Sequence, residues 1–553
     1  MKSIYTYCIL ALFLVASGCK KLDRFPLDKP STETFYSNKT ELDLAVNALY
    51  NSGLYPQDGE EWSDNYWQRT GNGNDFIHGT TTIQSGTFSS TWLAAYKGIA
   101  RANGILDNIN KAQDVTAAYR QQVEAQARFA RAYEYGILIT HFGDVPLIKT
   151  TLTLDESKTI TRTAKALIQK FVYDELDFAA SVLPTSYPTG LQYYTKGAVL
   201  GIKARLAVSM NDWATAADAA KKVMDLKVYS LYPSYRNLFL KAGQHSAEVM
   251  LSFPRSTTYN QFYDIQYTIS RNTGGYASNI PTVEFIDSYE CTDGKTIDKS
   301  ALYNFKKPFE NRDPRLKASI VTPGENWLGY IYENHPDSTM VFSTRDNKKV
   351  TNKDAKNASF PFASYTGYLW KKAIDESQVA QYNKVDLDQI VLRYAEILLI
   401  YAEAKIELNQ IDQSVLDAIN IVRSRAYGVS LTATGSYPAV TTTVQPDLRK
   451  VLRRERRVEL VLEGQRYMDL LRWKIAEKVM TAKIFGVPIN KADYPFPGTP
   501  AFDENDIPSY AAFSSKLSVL DTRAFNASKN YIWPVPYAEL TLNAALGQND
   551  GWK

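Results

Sequence analysis

The chain has 553 residues and a mass of 62.3 kDa, and its 44% hydrophobic and 22% charged residues exclude a disordered or fibrous protein. Its 63 Lys and Arg residues nearly balance 59 Asp and Glu residues, and the net charge of +4 is not the positive excess that is typical of a nucleic-acid-binding protein. Three cysteines and four histidines exclude a disulfide framework and a four-cysteine zinc site.

Residues 1–18 have the pattern of a bacterial lipoprotein signal peptide. Lys2 supplies a positive charge, residues 4–15 form an apolar run too short to span a bilayer, and small residues precede Cys19. Cleavage would leave Cys19 as a lipidated N-terminus that holds the protein on a membrane surface. The alternative is a plain secretory signal, since Ala16 stands where lipoproteins most often carry Leu.

Helical periodicity then alternates with stretches that lack it. Residues 19–38 are polar and predict a tether. Helices are predicted at residues 38–54, 92–111, 116–142, 161–227, 385–408, 414–426, 446–474 and 537–545. We expect residues 39–553 to form one domain, with a helical core at 39–54, 92–254 and 385–474, binding loops at 55–91 and 255–380, and a further loop at 484–530.

Residues 195–226 predict a helix hairpin of the tetratricopeptide kind. Two helical segments flank a tight polar joint at Met210 and Asn211, and small residues such as Ala216 and Ala220 allow close helix packing. No strict consensus recurs along the chain. We therefore predict a mainly α fold, with imperfect tetratricopeptide-like repeats and long irregular loop regions.

The densest acidic cluster predicts a structural role. Glu455, Glu459, Glu463 and Asp469 alternate with arginines along what is predicted as one helix. Ion pairs at this spacing hold carboxylates ionised, whereas a general acid needs a raised pKa. No nucleophile elbow, P-loop or metalloprotease motif occurs either, so we expect no enzyme activity.

Aromatic and polar residues are mixed in both predicted binding loops. An aromatic ring offers a flat face to a sugar ring, and Asn, Asp and Arg bind the hydroxyl groups around it. The alternative is that each ring packs inside the protein. The candidate ligand-binding residues are Tyr66, Trp67, Arg69, Asn72, Asn74 and Asp75 in the first loop and Tyr276, Trp327 and Tyr330 in the second. We expect Trp67→Ala to weaken ligand binding.

Several segments resemble the SusD/RagB family of outer-membrane lipoproteins from Bacteroidetes. The resemblance spans the chain from Cys19 to the C-terminus. It rests on LDRFPLDKPSTETFY after the cysteine, ARFARAYEYGILITHFGDVPLI at 127–148, GIKARLAVSMNDWATAADAAKKVM at 201–224, DPRL at 313–316, RYAEILLIYAEAKIELN at 393–409, INIVRSRA at 419–426, RRERRVELVLEGQRYMDLLRW at 453–473 and YIWPVPYAELTLNAALGQNDGW at 531–552.

The resemblance implies a surface-exposed lipoprotein of the outer membrane that captures an oligosaccharide and delivers it to a SusC-type TonB-dependent transporter. It also implies that Arg69, Asn72, Asn74 and Asp75 correspond to the arginine and asparagine that contact ligand in the starch-binding member. Two alternatives stay open: a peptide-binding protein of the same scaffold, and a tetratricopeptide adaptor without a small ligand. We expect no cofactor and no metal, although the Asp- and Asn-rich loop 346–357 offers oxygen ligands of the kind that calcium binds.

Overall fold

The structure, a computed structural model, describes residues 35–51, 58–69, 74–188, 193–355, 357, 364 and 366–553. The predicted signal peptide, Cys19 and most of the predicted tether lie outside these residues, and so does Asn72. Within the described part of the chain, no helix is both long and apolar enough to cross a membrane.

The described residues form a mainly α protein with small antiparallel sheets. The α-helices are α1 (Lys39–Asn47), α2 (Asn74–Ile77), α3 (Gly86–Asn108), α4 (Ala117–His141), α5 (Leu154–Ser157), α6 (Lys165–Val182), α7 (Lys196–Ser209), α8 (Trp213–Asp225), α9 (Tyr235–Leu238), α10 (Val283–Asp287), α11 (Arg315–Ser319), α12 (Tyr394–Glu407), α13 (Gln413–Ala426), α14 (Gln445–Glu459), α15 (Arg466–Arg472), α16 (Ala476–Val479) and α17 (Tyr537–Leu542). The strands are β1 (Tyr66–Gln68), β2 (Val249–Phe253), β3 (Asn279–Pro281), β4 (Ile320–Val321), β5 (Asn326–Trp327), β6 (Tyr330–Ile331), β7 (Met340–Ser343), β8 (Lys348–Thr351), β9 (Leu369–Trp370), β10 (Gln389–Arg393), β11 (Lys483–Pro488), β12 (Ala501–Phe502), β13 (Pro508–Ser509) and β14 (Leu517–Thr522).

The long helices pack on one another mostly in chain order. α4 lies between α3 and α6, α7 lies between α6 and α8, and α12 packs against α8, α13 and α14. The facing positions carry small and branched apolar residues that are fully buried, and they form one continuous core. This stack of helix pairs agrees with the predicted tetratricopeptide-like arrangement.

The helix hairpin predicted at residues 195–226 is confirmed. Thr195 and Asp212 cap α7 and α8, since each side chain accepts a hydrogen bond from a backbone amide in the first turn of its helix. Asn211 joins the two helices with a φ of 57°, a left-handed conformation that asparagine tolerates well. Ala216 and Ala220 are fully buried on the inner face of α8.

The predicted continuous helical region at 161–227 is wrong between α6 and α7. α6 ends at Val182, and Pro184 follows almost at once. A proline has no amide hydrogen to donate, and it disfavours helical conformation in the residue before it. The break separates α6 from the α7–α8 hairpin.

The predicted helix at 385–408 is wrong in its first part. Residues Gln389–Arg393 form β10, which pairs with β2 in antiparallel orientation, and α12 begins only at Tyr394. Ile390 and Val391 are β-branched and favour a strand. Their partner strand comes from a distant part of the chain, so local periodicity does not reveal it.

The predicted helix at 446–474 is wrong as a single helix. α14 ends at Glu459 and α15 begins at Arg466. Between them Leu462 and Gly464 have φ values of 61° and 68°, which a right-handed helix cannot contain. The four acidic residues therefore lie on two helices and the turn between them.

The predicted loop regions contain most of the small sheets. β5, β6, β7 and β8 form a four-stranded antiparallel sheet within 255–380, and β11 pairs with β14 within 484–530. A second apolar cluster contains buried rings such as Phe285, Tyr289 and Trp370, together with residues of β4, β11 and β14. The sheets are short and come from segments of irregular composition, which is why their alternation is hard to detect in the sequence.

A buried ion-pair network ties the helical stack to the rest of the protein. Glu459 on α14 accepts hydrogen bonds from Arg393 at 2.6 Å, from Arg315 at 2.9 Å and from Arg425, and Glu248 contacts Arg393 and Arg425 at 2.8 and 3.0 Å. Burial alone would raise the pKa of Glu459, but the three guanidinium groups hold it far below its usual range. The expectation that this acidic cluster is ion-paired is confirmed.

Glu463 and Asp469 also have lowered pKa values. Burial opposes the ionised form in both, and the neighbouring arginines more than compensate for it. A carboxylate held ionised in this way cannot donate a proton as a general acid near neutral pH. These residues therefore serve the scaffold.

Candidate functional site

A short sheet brings the two predicted binding loops together. β1 pairs with β3 in antiparallel register, with Trp67 opposite Ile280, and the pairing continues where the Arg69 amide donates to the Ser278 carbonyl at 2.9 Å. More than two hundred residues separate these strands along the chain. Residues near Arg69 consequently lie beside the tyrosine-rich segment 255–280.

Two tyrosine rings form an exposed pair in that segment. The side chains of Tyr267 and Tyr276 are 45% and 40% exposed, and their ring centroids lie 5.2 Å apart at an interplanar angle of 64°. We call this pair, together with Arg69, the tyrosine shelf. Large rings that stay exposed side by side are uncommon on a monomeric protein, so this pair is a candidate binding surface.

Backbone hydrogen bonds hold the two tyrosines in place. The Tyr276 amide donates to the Gln266 carbonyl at 2.7 Å, and the Ser278 amide donates to the Tyr267 carbonyl at 2.9 Å. Gly275 lies between them where a Cβ atom would come within 2.2 Å of the Ile269 carbonyl oxygen. Only glycine fits at this close approach, so the turn presents Tyr276 in a defined position.

Arg69 completes the shelf on one side. Its side chain is half-buried, and its Nη2 atom donates to the Tyr276 carbonyl at 3.2 Å. A guanidinium group places positive charge and N–H donors beside the two exposed rings. The shelf therefore combines flat apolar faces with a charged hydrogen-bond donor.

The turn beneath the shelf is braced from the β7–β8 hairpin. Buried Asp354 accepts hydrogen bonds from the Ser270 hydroxyl and from the Arg271 amide, the latter at 2.9 Å. Asn272 donates to the Thr351 carbonyl at 2.9 Å. Burial raises the pKa of Asp354, and these hydrogen bonds and the nearby Arg271 and Arg69 only partly offset it. The brace limits motion of the loop that carries Tyr276.

The two predicted tryptophans lie inside the protein. Trp67 is 6% exposed, and its indole nitrogen donates to Asp521 at 3.1 Å. Trp327 is 4% exposed, and its ring is covered by Arg236 and Lys371, whose cationic groups lie 5.6 and 5.2 Å from the ring centroid. Neither ring has a face exposed to a ligand in this structure. Burying such a large apolar side chain is favourable, since it removes apolar surface from water.

The other predicted residues are partly buried or lie outside the described side chains. Tyr66 is half-buried and stacks on Trp370 with centroids 5.9 Å apart, and Tyr330 is half-buried with Arg345 over its ring. Asp75 is half-buried in the first turn of α2. Asn74 begins that helix, but its side chain is not described, and Asn72 lies outside the described residues.

Sequence reasoning does not single out Tyr267, which the structure places beside Tyr276. The signal that could have found it is the pair Gly274 and Gly275, since two glycines predict a turn that folds the chain back on itself. A hairpin centred near this pair brings Tyr276 next to residues before the turn. The burial of Trp67 has no comparable local signal.

The burial of Trp67 changes the expected result of truncating it. Trp67→Ala removes a buried ring and its hydrogen bond to Asp521, so we expect it to lower the free energy of unfolding by about 3–5 kcal/mol. Chemical denaturation of the variant measures this loss. If the variant were as stable as the wild type, the burial described here would be wrong. Weaker ligand binding by Trp67→Ala would support a direct contact between Trp67 and the ligand only if the folded fraction of the variant equalled that of the wild type.

A cleft of about 430 Å³ lies next to the same segment. Tyr66 and Tyr263 line it, but Arg255 covers the Tyr263 ring at 4.3 Å from its centroid. Glu60 also lines the cleft, and burial raises its pKa to about 7 despite a hydrogen bond from Asn65. The described residues that line the cleft include many carboxylates and no pair of exposed rings, so the tyrosine shelf fits a sugar better.

The chain is similar to proteins of one family over most of its length. The family model described as "SusD family" matches residues 248–552, and the model described as "Starch-binding associating with outer membrane" matches residues 33–208. A SusD-like protein of Formosa agariphila is 25% identical over 498 residues, which are 85% of this chain and 89% of that protein.

Solved structures share this fold. A SusD-like carbohydrate binding protein from Bacteroides fragilis is 28% identical, and the match covers 93% of this chain and 100% of that one with a TM-score of 0.78. A laminarin binding SusD-like protein is 18% identical, with the same coverage of both chains and a TM-score of 0.66. The second likeness shows the fold alone.

Proposed function

Because the chain belongs to the SusD family, we propose that it is a cell-surface lipoprotein that captures an oligosaccharide and delivers it to a SusC-type TonB-dependent transporter. The observation that carries the proposal is the tyrosine shelf. Tyr267 and Tyr276 present open rings, and Arg69 lies beside them, in the part of the fold where both predicted binding loops meet.

The shelf suits a sugar for physical reasons. A pyranose ring has an apolar face of C–H groups, which packs on an aromatic ring, and a rim of hydroxyl groups, which accept and donate hydrogen bonds. Two rings at 64° to each other cannot both lie under one flat sugar ring, so they fit two units of a curved or turning chain. Asn72 and Asn74, close to Arg69 in the sequence, remain proposed ligand-binding residues.

A glucan is the first ligand class to test. Support comes from one structural neighbour that binds laminarin and from one matching family model that describes starch binding. These properties belong to the relatives, so linkage has to be measured for this chain. The proposal includes attachment to the outer membrane through lipid on Cys19, with the binding face turned outward, and binding without cleavage of the glycan.

Calorimetric titration of the chain from residue 20 with oligosaccharides tests the proposal. The panel should contain α-linked and β-linked glucans, other plant and microbial oligosaccharides, and mixed oligopeptides at equal concentration. We expect saturable heat with one glycan class, no heat with peptides, and unchanged oligosaccharides by chromatography after incubation. Saturation with peptides alone would instead support the peptide-binding alternative. No saturable heat with either oligosaccharides or peptides would favour a tetratricopeptide adaptor without a small ligand.

Delivery to a transporter is tested separately. We expect the lipidated protein to copurify with a TonB-dependent barrel from outer membranes and the Cys19→Ser protein to be lost from that fraction. A protein that fractionates identically with and without Cys19 would contradict the proposed anchor. This result does not depend on which ligand binds.

A further inference from the structure

A second cavity, separate in its lining from the tyrosine shelf and the 430 Å³ cleft, lies along α14. Its volume is about 420 Å³, within the range of small-ligand sites. Six cationic side chains line it, and they are Arg449, Lys450, Arg453, Arg454, Arg457 and Arg466. Glu407, Glu504 and Asp506 are the acidic residues in the lining.

Four of the arginines already have carboxylate partners. Arg449 forms a two-pronged pair with Glu407 at 2.6 and 2.8 Å, and Arg454 pairs with Asp506 at 2.5 Å and with Glu290 at 3.1 Å. Arg457 and Arg466 share Asp64, at 2.8 and 2.7 Å. Carboxylates of the protein neutralise the charges of these four arginines. Their main role is therefore to stabilise the fold, and they are less suited to bind a ligand.

Arg453 differs from these four. Among the described residues it has no ion pair and no hydrogen bond, and its Nε atom is buried without a partner. Its guanidinium group lies over the Trp473 ring, 4.8 Å from the centroid. Glu504, another carboxylate in the lining, pairs with Lys478 at 2.9 Å and forms no ion pair with Arg453 in the described structure.

The surroundings leave this positive charge only partly compensated. Burial lowers the pKa of Arg453, the charges of Glu403 and Glu407 oppose this, and Arg472 and Arg449 act with burial to a smaller extent. The adjacent Lys450 is exposed and forms no ion pair among the described residues. The buried Nε–H of Arg453 has no acceptor among the described residues, which costs free energy, and an incoming anion would supply that acceptor.

We propose that this cavity binds an oxyanion, namely a carboxylate or sulfate group, with Arg453 as the principal contact. The planar guanidinium group presents parallel N–H donors that match two oxygens of such a group. Trp473 holds the guanidinium plane in place, and Lys450 adds a second charge at the rim. The oxyanion is either part of a small acidic sugar or a free ion. Phe502 and Ile507 provide apolar walls for the sugar.

The test uses calorimetric titration of the chain from residue 20 at low ionic strength. The probes are sodium glucuronate, sodium sulfate and uncharged glucose. We expect saturable binding of one of the two anions that weakens as sodium chloride is added, because screening reduces the attraction. Tighter binding of glucuronate than of sulfate identifies the sugar-borne anion, and the reverse identifies the free ion. Absence of saturable binding by both anions overturns the proposal.

Variants assign the binding to this cavity. Arg453→Gln should weaken anion binding at least about 10-fold, and Arg453→Lys should restore part of the affinity, since it keeps the charge but loses the planar donors. Arg101→Gln, an exposed arginine on α3 that contacts only the Ala48 carbonyl in the described structure, should bind as the wild type does. Wild-type affinity in folded Arg453→Gln would overturn the proposal.

One further variant separates this inference from the proposed function. Tyr276→Ala lies on the tyrosine shelf and should leave anion binding unchanged. If neutral oligosaccharides fail to bind the protein but anion binding depends on Arg453, the shelf proposal fails and the cavity stands. If anion binding is lost in Tyr276→Ala and kept in Arg453→Gln, the anion occupies the shelf and the cavity proposal fails.

Discussion

Tyr276→Ala should weaken oligosaccharide binding by about 10-fold or more, which corresponds to roughly 1.4 kcal/mol or more. The ring is 40% exposed and forms one half of the tyrosine shelf, and its removal deletes the apolar face on which a sugar would pack. Truncation should not damage the fold, because the backbone hydrogen bonds that hold this turn do not involve the phenol. Calorimetric titration with the best oligosaccharide measures the change.

Matched variants give this prediction its controls. Tyr276→Phe keeps the ring and should retain most of the affinity. Tyr537→Ala removes a tyrosine of similar exposure on α17, far along the chain from the shelf, and should bind normally. The double variant Tyr267→Ala with Tyr276→Ala should bind too weakly to saturate. Equal affinities of the wild type and the double variant would remove the shelf from the ligand site.

Glu459→Gln should lower the free energy of unfolding by about 3–5 kcal/mol. The substitution keeps the shape of the side chain but leaves Arg315, Arg393 and Arg425 around a neutral group that also turns an amide towards them. The cost is large because the carboxylate is fully buried and water cannot replace its charge. Urea denaturation followed by tryptophan fluorescence measures it.

An exposed pair provides the comparison. Glu310 contacts Lys307 at 3.1 Å on the surface, and Glu310→Gln should change stability by less than about 1 kcal/mol. A Glu459→Gln protein as stable as Glu310→Gln would show that the buried network contributes little to folding.

The cost of Glu459→Gln should also depend on pH in one direction. The folded pKa of Glu459 lies below its unfolded value, so its stabilisation is present above the unfolded pKa near 4.3 and declines as the pH falls towards the folded value. The stability difference between wild type and variant should therefore be constant from pH 8 to 6 and smaller at pH 3.5. A difference that grows on acidification would contradict the assigned charge state.

Much of the helical architecture can be predicted from the sequence because it depends on local patterns. The hairpin of α7 and α8 follows from apolar spacing, small residues and two capping side chains that lie within a few residues of each other. The errors occur where distant segments compete with these patterns. Residues Gln389–Arg393 have helix-like neighbours, but pairing with β2 makes them a strand.

The site was harder to predict because exposure of a ring is set by contacts across the fold. Trp67 and Tyr276 both occur in irregular, polar segments that look alike in sequence. Trp67 is buried in the main apolar core and its indole nitrogen donates to Asp521, 454 residues away, whereas Tyr276 stays exposed on a glycine-defined turn. Arg453 and its neighbours on α14 are likewise indistinguishable until the positions of their carboxylate partners are known.

Hydrogen exchange of backbone amides with and without a saturating oligosaccharide tests the location of the binding site most directly. The account predicts slower exchange in the bound protein at residues 264–280 and at residues 66–69, where the tyrosine shelf lies, with no change along α14. Protection confined to residues 238–255 and 387–390 around the 430 Å³ cleft, with the shelf unchanged, would contradict it.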